Sequence, residues 1–582
     1  MTLRSLRPLC LQALLIVTLS FTAAAKQPSL AASVPDGAIG FAEVSNLSDI
    51  VKSVRGSRAL EWVLASDEWK KFESSPDYLK ANAVRTTAEL VLGSSLWDAA
   101  ADLLSGRIGL AVYPGEGTGA TPQGVVVLHL DESKTLERGR DMLKPLLGAG
   151  GKTMDTSAVW PGSTTWNFND RDFISLNGTW LVATKQRALL DRTIALLGNA
   201  QDKPAALAAQ ENFANMERGL GDEHHARVWV NTEVLKKGLG ARFGLPARAE
   251  DGFASFIFGG LIELADRAPF AAATLDFRGN EAEGVLTIAG DPAKLSDPAS
   301  LWYVQYPENG VIPLPKTPGT LFAFTMHRKL GQWYRQRDKL LADRLLPAFD
   351  NFETGIGNLL PQKDFGQDVL PLIGDNFTFV SALQDYKHLD GEPGIKLPAF
   401  AAIFDLPKPQ EGTDTFQLFF QTLGAILNLQ AGQEARQPSV MDTEVYKDTK
   451  LSFSRYLTKP KGDRLALAYN FQPAAASVGR KYIMATSVQL CRDLIDHFKN
   501  PDAAKWQNRN SEAALDFAGL AKLTELNEGF LRSQDIQKGT SPEAAEKRVG
   551  LLIKVLQQLD TLRYYSNADG GMFRMHLKMG WK

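Results

Sequence analysis

The sequence predicts an α+β fold made of two homologous halves, each with a largely antiparallel sheet packed by amphipathic helices. Three observations support this prediction. Short apolar runs with strand character cluster in adjacent groups, without the regular strand–helix alternation of parallel sheets. Long segments with helical apolar stripes lie between these groups. The same order of elements occurs twice along the 582 residues.

The N-terminus predicts a signal peptide over residues 1–25. Two basic residues, Arg4 and Arg7, precede an apolar run over 9–21. That run is shorter than the roughly 20 residues that a membrane-spanning helix needs. Small residues favour cleavage after Ala25, and an uncleaved anchor is the alternative. We therefore expect a periplasmic or secreted protein without a transmembrane span after signal cleavage.

Internal similarity assigns the first α+β repeat to residues 33–290 and the second to residues 316–582. In each repeat the predicted order is a strand, a long helical region, two strands, a helix, several short strands, a helix, a strand, helices and a hairpin. Individual matches are weak, and their shared order is the evidence for a duplication. The matching segments are, in pairs, 35–41 and 318–324, 106–112 and 374–380, 125–128 and 401–404, and 180–184 and 482–486.

Helices and hairpins within the repeats follow from local patterns. The helix predicted over Thr413–Leu429 has one apolar stripe for packing on a sheet. Each repeat closes with a hairpin whose turn is rich in Gly, Asn and Asp, at 278–281 and 567–570. The late helix of the second repeat begins with an N-cap Ser541 and Pro542 at its first position. The stripe consists of Phe416, Phe419, Phe420, Leu423 and Leu427.

A Pro-rich connection is predicted over residues 291–315. Five prolines in this segment are typical of a linker. Its aromatic residues, among them Trp302 and Tyr303, are not typical of a flexible tether. We therefore expect the connection to pack against one of the two halves.

Charge and cysteine content narrow the class of protein. With 64 Lys and Arg against 66 Asp and Glu, the chain has no basic excess for nucleic-acid binding. Removal of the signal peptide would also remove one of the two cysteines, so no internal disulfide is predicted. The remaining Cys491 lies in a helical pattern, which favours a buried packing thiol over a reactive one.

The order of these elements resembles exported bacterial proteins of a domain-of-unknown-function family that are built from two such repeats. The resemblance rests on the mature region beginning with a strand at Val34-Pro35-Asp36, followed by a helical stretch rich in Leu and Trp. It covers most of residues 33–582 at the level of pattern. It implies a location in the cell envelope and no activity, because such families have no established catalytic residues.

Chemical motifs are absent or weak in the sequence. The phosphate-binding GxxxxGK[ST], the nucleophile motif GxSxG and the zinc motif HExxH do not occur. His224 and His225 follow Asp222 and Glu223, a set of zinc-binding residue types. Adjacent residues on an extended strand point to opposite faces, so a solvated loop is preferred over a metal site.

Three further clusters each have a structural interpretation. His129 and Asp131 lie two residues apart and therefore share a strand face, so they could act as a general base and its orienting carboxylate. The polar end of a strand is the preferred interpretation. The polar run Asn167–Asp172 has oxygen ligands for calcium, and a hairpin turn is preferred. Helically spaced aromatic residues could line a groove for an apolar ligand, and a core stripe is preferred. These aromatics are Trp62, Trp69, Phe72 and Tyr78.

The sequence therefore predicts an exported envelope protein that acts as a non-enzymatic binding or scaffolding module. One alternative is a carrier of a lipid or other apolar ligand, which requires an apolar cavity of several hundred Å³. A divergent hydrolase is the other alternative. No catalytic, cofactor-binding or metal-binding residue is predicted, and the candidate partners are an envelope protein or an apolar ligand.

Overall fold

The computed structural model describes residues 29–582, apart from 46–47, 56–60, 62–63, 65–66, 104, 116–120, 222–223, 240–250, 296–299, 305–309, 435–436, 501–502 and 504. The predicted signal peptide lies outside the described residues. The α+β class and the largely antiparallel sheet are confirmed. Contacts divide the described residues into two compact units, one within 1–244 and 268–289 and the other within 245–267 and 290–582.

The first unit contains ten strands among the described residues, which pair antiparallel in the order β10-β9-β8-β1-β2-β3-β7-β6-β5-β4. The strands are β1 Gly40–Ser45, β2 Arg107–Tyr113, β3 Gln123–His129, β4 Lys152–Met154, β5 Thr164–Phe168, β6 Asp172–Asn177, β7 Trp180–Thr184, β8 Ala226–Asn231, β9 Phe270–Arg278 and β10 Glu281–Ala289. Its helices are α1 Ser48–Arg55, α2 Asp67–Glu73, α3 Pro76–Leu92, α4 Leu96–Leu103, α5 Lys134–Gly150, α6 Arg187–Leu197, α7 Glu211–Leu220 and α8 Thr232–Leu239.

The second unit has a main sheet in the order β22-β21-β20-β11-β12-β14-β19-β18-β16-β15, with every pairing antiparallel. The strands are β11 Thr320–His327, β12 Asn376–Ala382, β13 Asp390–Pro393, β14 Ala399–Asp405, β15 Ser439–Tyr446, β16 Thr449–Tyr456, β17 Lys461–Leu465, β18 Ala474–Val478, β19 Lys481–Ala485, β20 Ser511–Asp516, β21 Leu559–Asp569 and β22 Met572–Trp581. Strands β13 and β17 form a separate parallel pair. Its helices are α9 Gly252–Arg267, α10 Leu330–Arg335, α11 Arg337–Leu340, α12 Leu346–Leu359, α13 Pro409–Gln433, α14 Val488–Phe498, α15 Phe517–Leu526, α16 Glu528–Gln537 and α17 Pro542–Gln558.

The two main sheets have the same strand order when each strand is matched to its counterpart along the chain. In each unit the first strand is followed in the sheet by the second and third, and the closing hairpin lies at one end. A duplicated fold predicts this correspondence. The common ancestry of the two halves stays a prediction.

Helix α9 lies in the second unit, although it precedes the closing hairpin of the first predicted repeat. The indole Nε1 of Trp302 donates to the carbonyls of Ser255 and Phe256 at 3.0 and 2.9 Å. Arg328 Nε also donates to the Phe256 carbonyl, at 3.1 Å. Trp302 is buried, as is Tyr303, so these residues of the Pro-rich connection pack within the second unit.

A buried ion-pair cluster holds the centre of the first unit's sheet. Glu43 on β1 accepts from Arg107 Nη1 on β2 at 2.9 Å and from Arg227 Nη2 on β8 at 2.6 Å. The N–H of Leu30 also donates to it, at 3.1 Å. Burial raises the pKa of Glu43, but the two arginines and the Leu30 N–H outweigh burial and lower it. Three strands and the N-terminal segment are therefore tied together by one charged carboxylate.

The second unit's sheet has an apolar core on each face because its strands alternate. Ile403 on β14 and Ile483 on β19 lie on the face covered by α14, together with the buried Cys491. Tyr482 lies on the opposite face and contacts Phe416 of α13, with ring centroids 5.4 Å apart. The apolar stripe predicted for α13 therefore packs on the sheet, although its last residue, Leu427, is 43% exposed.

Candidate functional site

An apolar groove of about 600 Å³ lies in the second unit, between one face of the sheet and the helices that cover it. The sheet contributes Phe404 of β14 and Met484 of β19. The remaining lining side chains come from α10, α12, the π-helical turn Phe365–Val369 and α13, with Leu360 directly after α12 and Ile373 after the π-helical turn. They are Leu330, Trp333, Tyr334, Ala348, Phe349, Phe352, Ile356, Leu360, Phe365, Val369, Ile373, Phe416 and Phe419.

Aromatic rings form most of the groove wall and support one another. Tyr334 and Phe352 each meet the ring of Phe365 at 5.0 Å between centroids, in edge-to-face arrangements. Phe404 stacks on Phe416 at 5.9 Å with nearly parallel planes. Such pairs are stabilising beyond the apolar area that they bury. Phe352 is nevertheless 47% exposed, so the groove is open to solvent on the α12 side.

Few polar atoms reach the groove. Tyr334 Oη donates to Glu353 Oε1 at 2.7 Å, and burial together with this hydrogen bond raises the pKa of Tyr334. Trp333 is buried, and its Nε1 has no hydrogen-bond partner among the described residues. A buried donor without a partner costs about 1–3 kcal/mol. The groove therefore combines an apolar lining with one unused N–H donor in its wall.

A polar cleft of about 950 Å³ lies beside the groove, at one end of the same sheet. It is formed where β11, β14 and β18 end and where β12 and β19 begin, because neighbouring antiparallel strands place these termini at one edge. Its charged residues are Lys329, Arg335, Asp375, Asp405, Arg480 and Lys481.

Cations outnumber carboxylates in the cleft by four to two. Asp405 Oδ1 lies 3.2 Å from Lys481 Nζ, and its Oδ2 lies 3.8 Å from Arg480 Nη2. Burial lowers the pKa of Lys481, and the neighbouring Asp405 opposes that shift. The ammonium of Lys481 also lies 5.0 Å from the ring centroid of Trp506.

His327 is the most deeply buried titratable residue that lines the cleft. It is the last residue of β11, pairs in register with Asn376, and is 2% exposed. Neither ring nitrogen has a hydrogen-bond partner among the described residues, and the same is true of Asn376 Oδ1. Burial, with the positive charges of Arg328 and Lys329, lowers the pKa of His327 to about 3. The ring is therefore neutral at physiological pH, with one donor and one acceptor nitrogen.

Helix α10 separates the two spaces, and Ile373 lines both. Its residues Leu330, Trp333 and Tyr334 line the groove. Gly331, Gln332 and Arg335 of the same helix line the cleft. Residues three and four apart share a helix face. This short helix is therefore amphipathic, with its apolar face on the groove and its polar face on the cleft.

His224 and His225 lie just before β8 and contact Asp276 on the neighbouring strand β9. His224 Nδ1 lies 2.7 Å from Asp276 Oδ2, and its Nε2 lies 3.1 Å from the carbonyl of Leu220. His225 donates its backbone N–H to Asp276 Oδ1 at 3.3 Å. Burial raises the pKa of Asp276, but the interactions with His224 and His225 lower it by more, so the net shift is downward.

Asp276 is the partner that sequence reasoning missed. It lies on β9, 51 residues after His225, and only the β8–β9 pairing brings them together. Asp222 and Glu223 lie outside the described residues. No group of three or more His, Cys, Asp or Glu side chains suited to a metal occurs in the part of the chain that the structure describes.

The remaining candidates have structural surroundings. The ring of His129 stacks on Trp180 across β3 and β7 at 4.0 Å. Asn169 and Asp170 have positive φ angles in the β5–β6 hairpin, which confirms the predicted turn. Cys491 is fully buried, and burial raises the pKa of its thiol, which confirms the packing interpretation.

The aromatic stripe near the start of the first repeat is only partly buried. Trp69, Phe72 and Tyr78 contact one another with centroids 5.3–6.1 Å apart. Phe72 is 38% exposed, so the prediction of a core position is wrong for it. Trp62 lies outside the described residues. The three rings form a cluster between α2 and α3 in which Trp69 and Tyr78 are half-buried.

The sequence indicates the apolar helix faces that line the groove, but not the groove itself. Phe416 and Phe419 belong to the stripe predicted for α13. Phe349, Phe352 and Ile356 of α12 follow the i, i+3, i+7 spacing of an apolar helix face. That spacing predicts an amphipathic helix, but no pattern shows that two such helices leave a space between them.

No protein-family model and no curated protein matches this chain. Among solved structures, crystal form III of TP0453 is similar with a TM-score of 0.23 and 10% sequence identity, covering 48% of this chain and 85% of that chain. Crystal form IV of TP0453 is similar with a TM-score of 0.23 and 10% identity, covering 44% and 79%. Similarity at this level supports no argument about function.

Within the part of the chain that the structure describes, no helix is both long and apolar enough to cross a membrane.

Proposed function

We propose that this protein is an exported, non-enzymatic binding protein that carries an apolar ligand, of the kind a lipid hydrocarbon chain provides, in the groove of its second unit. The observation that supports the proposal is the groove itself. It measures about 600 Å³ and is lined throughout by apolar and aromatic side chains. Of the functions that the sequence predicts, the carrier requires such a space.

The dimensions of the groove favour a small ligand over a protein partner. Ligand pockets span about 300–1,000 Å³, and the groove falls within that range. A stable protein interface uses about 20–30 residues on each side, whereas fifteen residues line the groove. Its concave wall would cover a hydrocarbon chain on several sides.

The chemistry of the lining favours transport over catalysis. Removing hydrocarbon from water contributes about 25 cal/mol per Å². The groove supplies apolar contact from eight aromatic side chains. A hydrolase would need a nucleophile, a base and an orienting group around one pocket. The fifteen lining side chains do not combine these groups, so the proposed role is binding.

The proposal is tested with N-phenyl-1-naphthylamine, a neutral dye that fluoresces in apolar surroundings. We expect saturable binding to the purified protein. Phe352→Asp should weaken dye binding by about tenfold or more, because the dye would desolvate a carboxylate. Leu418→Asp is the matched control, since Leu418 is 41% exposed on α13 and does not line the groove.

Two outcomes contradict the proposal. The first is a linear, unsaturable dye signal with the wild-type protein. The second is equal dye affinity in Phe352→Asp and Leu418→Asp, which would place the dye outside the groove. Native mass spectrometry of the protein purified from its own compartment then identifies the ligand, and a co-purifying protein in place of a small mass would favour the scaffold.

The proposed export has an independent test. If the signal peptide is removed as predicted, the mature protein begins at Lys26. Intact-mass measurement of the protein recovered from the periplasmic fraction and from the medium reads that terminus directly. Recovery of the unprocessed chain in the cytosol would contradict export, without bearing on the groove.

A further inference from the structure

We infer that the ligand is an anionic amphiphile, whose hydrocarbon chain lies in the groove and whose carboxylate or phosphate headgroup lies in the adjoining polar cleft. This inference rests on the proposed function of the groove and adds the chemistry of the headgroup. It treats the two spaces as one composite site, with helix α10 as the wall that both parts share.

The positions of the two spaces support a single ligand. Ile373 lines both, so an apolar side chain forms their common border. Helix α10 presents Trp333 and Tyr334 to the groove and Arg335 to the cleft. A molecule that is apolar at one end and charged at the other matches this change along the wall.

The charges of the cleft select an anion. Four cationic side chains and two carboxylates line it, an excess of positive charge. Asp405 is already matched by Lys481 at 3.2 Å and by Arg480 at 3.8 Å. Arg335 is exposed at the cleft and has no ion-pair partner among the described residues. An anionic headgroup in the cleft would therefore meet an excess of positive charge.

Unused hydrogen-bonding groups at the base of the cleft point to the same ligand. His327 is 2% exposed, and neither of its ring nitrogens has a partner among the described residues. Buried polar groups in native proteins are nearly always paired, so an orphaned imidazole requires an explanation. A neutral imidazole offers one N–H, which would donate to a headgroup oxygen.

Displacement of N-phenyl-1-naphthylamine from the full chain tests the inference. The competitors are dodecanoate, dodecyl phosphate and dodecan-1-ol, which have the same hydrocarbon chain and differ in the headgroup. We expect either anion to displace the dye at a concentration lower than the alcohol by about tenfold or more, because charge-assisted hydrogen bonds form. The preferred anion distinguishes a carboxylate ligand from a phosphate ligand.

Charge reversal on the surface provides the matched variants. Arg335→Glu should weaken the two anions by about tenfold and leave the alcohol and the dye unchanged. Lys339→Glu makes the same change of charge four residues later, at an exposed position that does not line the cleft. This control should leave all the ligands unchanged.

The outcomes separate the two proposals. Equal displacement by dodecanoate and dodecan-1-ol overturns the anionic headgroup and leaves the apolar carrier standing. Absence of saturable dye binding overturns the carrier, and the headgroup inference with it. Inorganic phosphate that binds by calorimetry as tightly as dodecyl phosphate overturns the composite site, because the hydrocarbon chain would then contribute nothing.

Discussion

The neutral, buried state of His327 predicts a measurable dependence of stability on pH. Its side chain is 2% exposed, and burial with the charges of Arg328 and Lys329 lowers its folded-state pKa to about 3. The unfolded chain has a histidine pKa of about 6.5. Below about pH 6.5 the histidine binds a proton in the unfolded state but stays neutral in the folded state. The stability that His327 contributes is thus complete above about pH 6.5 and is lost as pH falls toward about 3.

The size of the effect follows from the two pKa values. Between about pH 7 and about pH 5, protonation of the unfolded state stabilises it by about 2 kcal/mol, while the folded state stays neutral. The variant His327→Gln cannot titrate and has a similar shape and polarity. The difference in unfolding free energy between wild type and variant should therefore change by about 2 kcal/mol over this range.

Urea unfolding of both proteins at the two pH values measures that difference. Other titrating groups are present in both proteins, so their contributions cancel in the comparison. A second readout is a proton–carbon NMR titration of the seven histidine rings, in which the variant assigns the His327 signal. A pH-independent difference in stability, or a His327 midpoint between about pH 5.5 and 7, would refute the reasoning.

Three further predictions follow from the described contacts. Glu43→Gln should lower the unfolding free energy by about 3–5 kcal/mol, because buried Arg107 loses its charge partner and buried Arg227 keeps only Glu217. Asp191→Asn, in an exposed pair, should cost under about 1 kcal/mol. Equal costs in denaturant titrations would contradict this prediction. Cys491 should react with Ellman's reagent only after unfolding, once the predicted signal peptide is removed; stoichiometric labelling of the native protein would disprove its burial. Gly259→Ala should lower the melting temperature, because the added Cβ would lie 2.5 Å from the buried indole of Trp302. Gly550→Ala should raise it, because the added Cβ meets open space and alanine favours the helix. The opposite order of melting temperatures would show that α9 does not pack as described.

Local patterns in the sequence predicted much of the secondary structure. The stripe that begins at Phe416 predicted α13, and Ser541 with Pro542 marked the start of α17, where the serine hydroxyl accepts from the N–H of Ala544. The Asn169-Asp170 turn was predicted because few residue types tolerate positive φ. These features depend on neighbours within a few residues, so a single sequence contains the information.

The candidate site could be predicted only in its parts. The spacing of Phe349, Phe352 and Ile356 indicates an apolar face on α12, but the neighbouring elements cover that face only in part. His327 belongs to no sequence motif, and only the strand pairing of the sheet brings it to the same edge as Asn376 and Lys481. Distances between such residues are set by the packing of whole elements, which no local pattern encodes.

The sequence by itself determined the α+β class, the antiparallel tendency of the strands and the buried state of Cys491. Each of these follows from periodicity or composition over a short segment. Only the tertiary structure decided that α9 lies with the second unit, that Asp276 meets His224, and that an apolar groove adjoins a cationic cleft at helix α10. The physical reason is that cavities and long-range ion pairs arise from the way in which packed elements meet, and periodicity specifies only which face of each element is apolar.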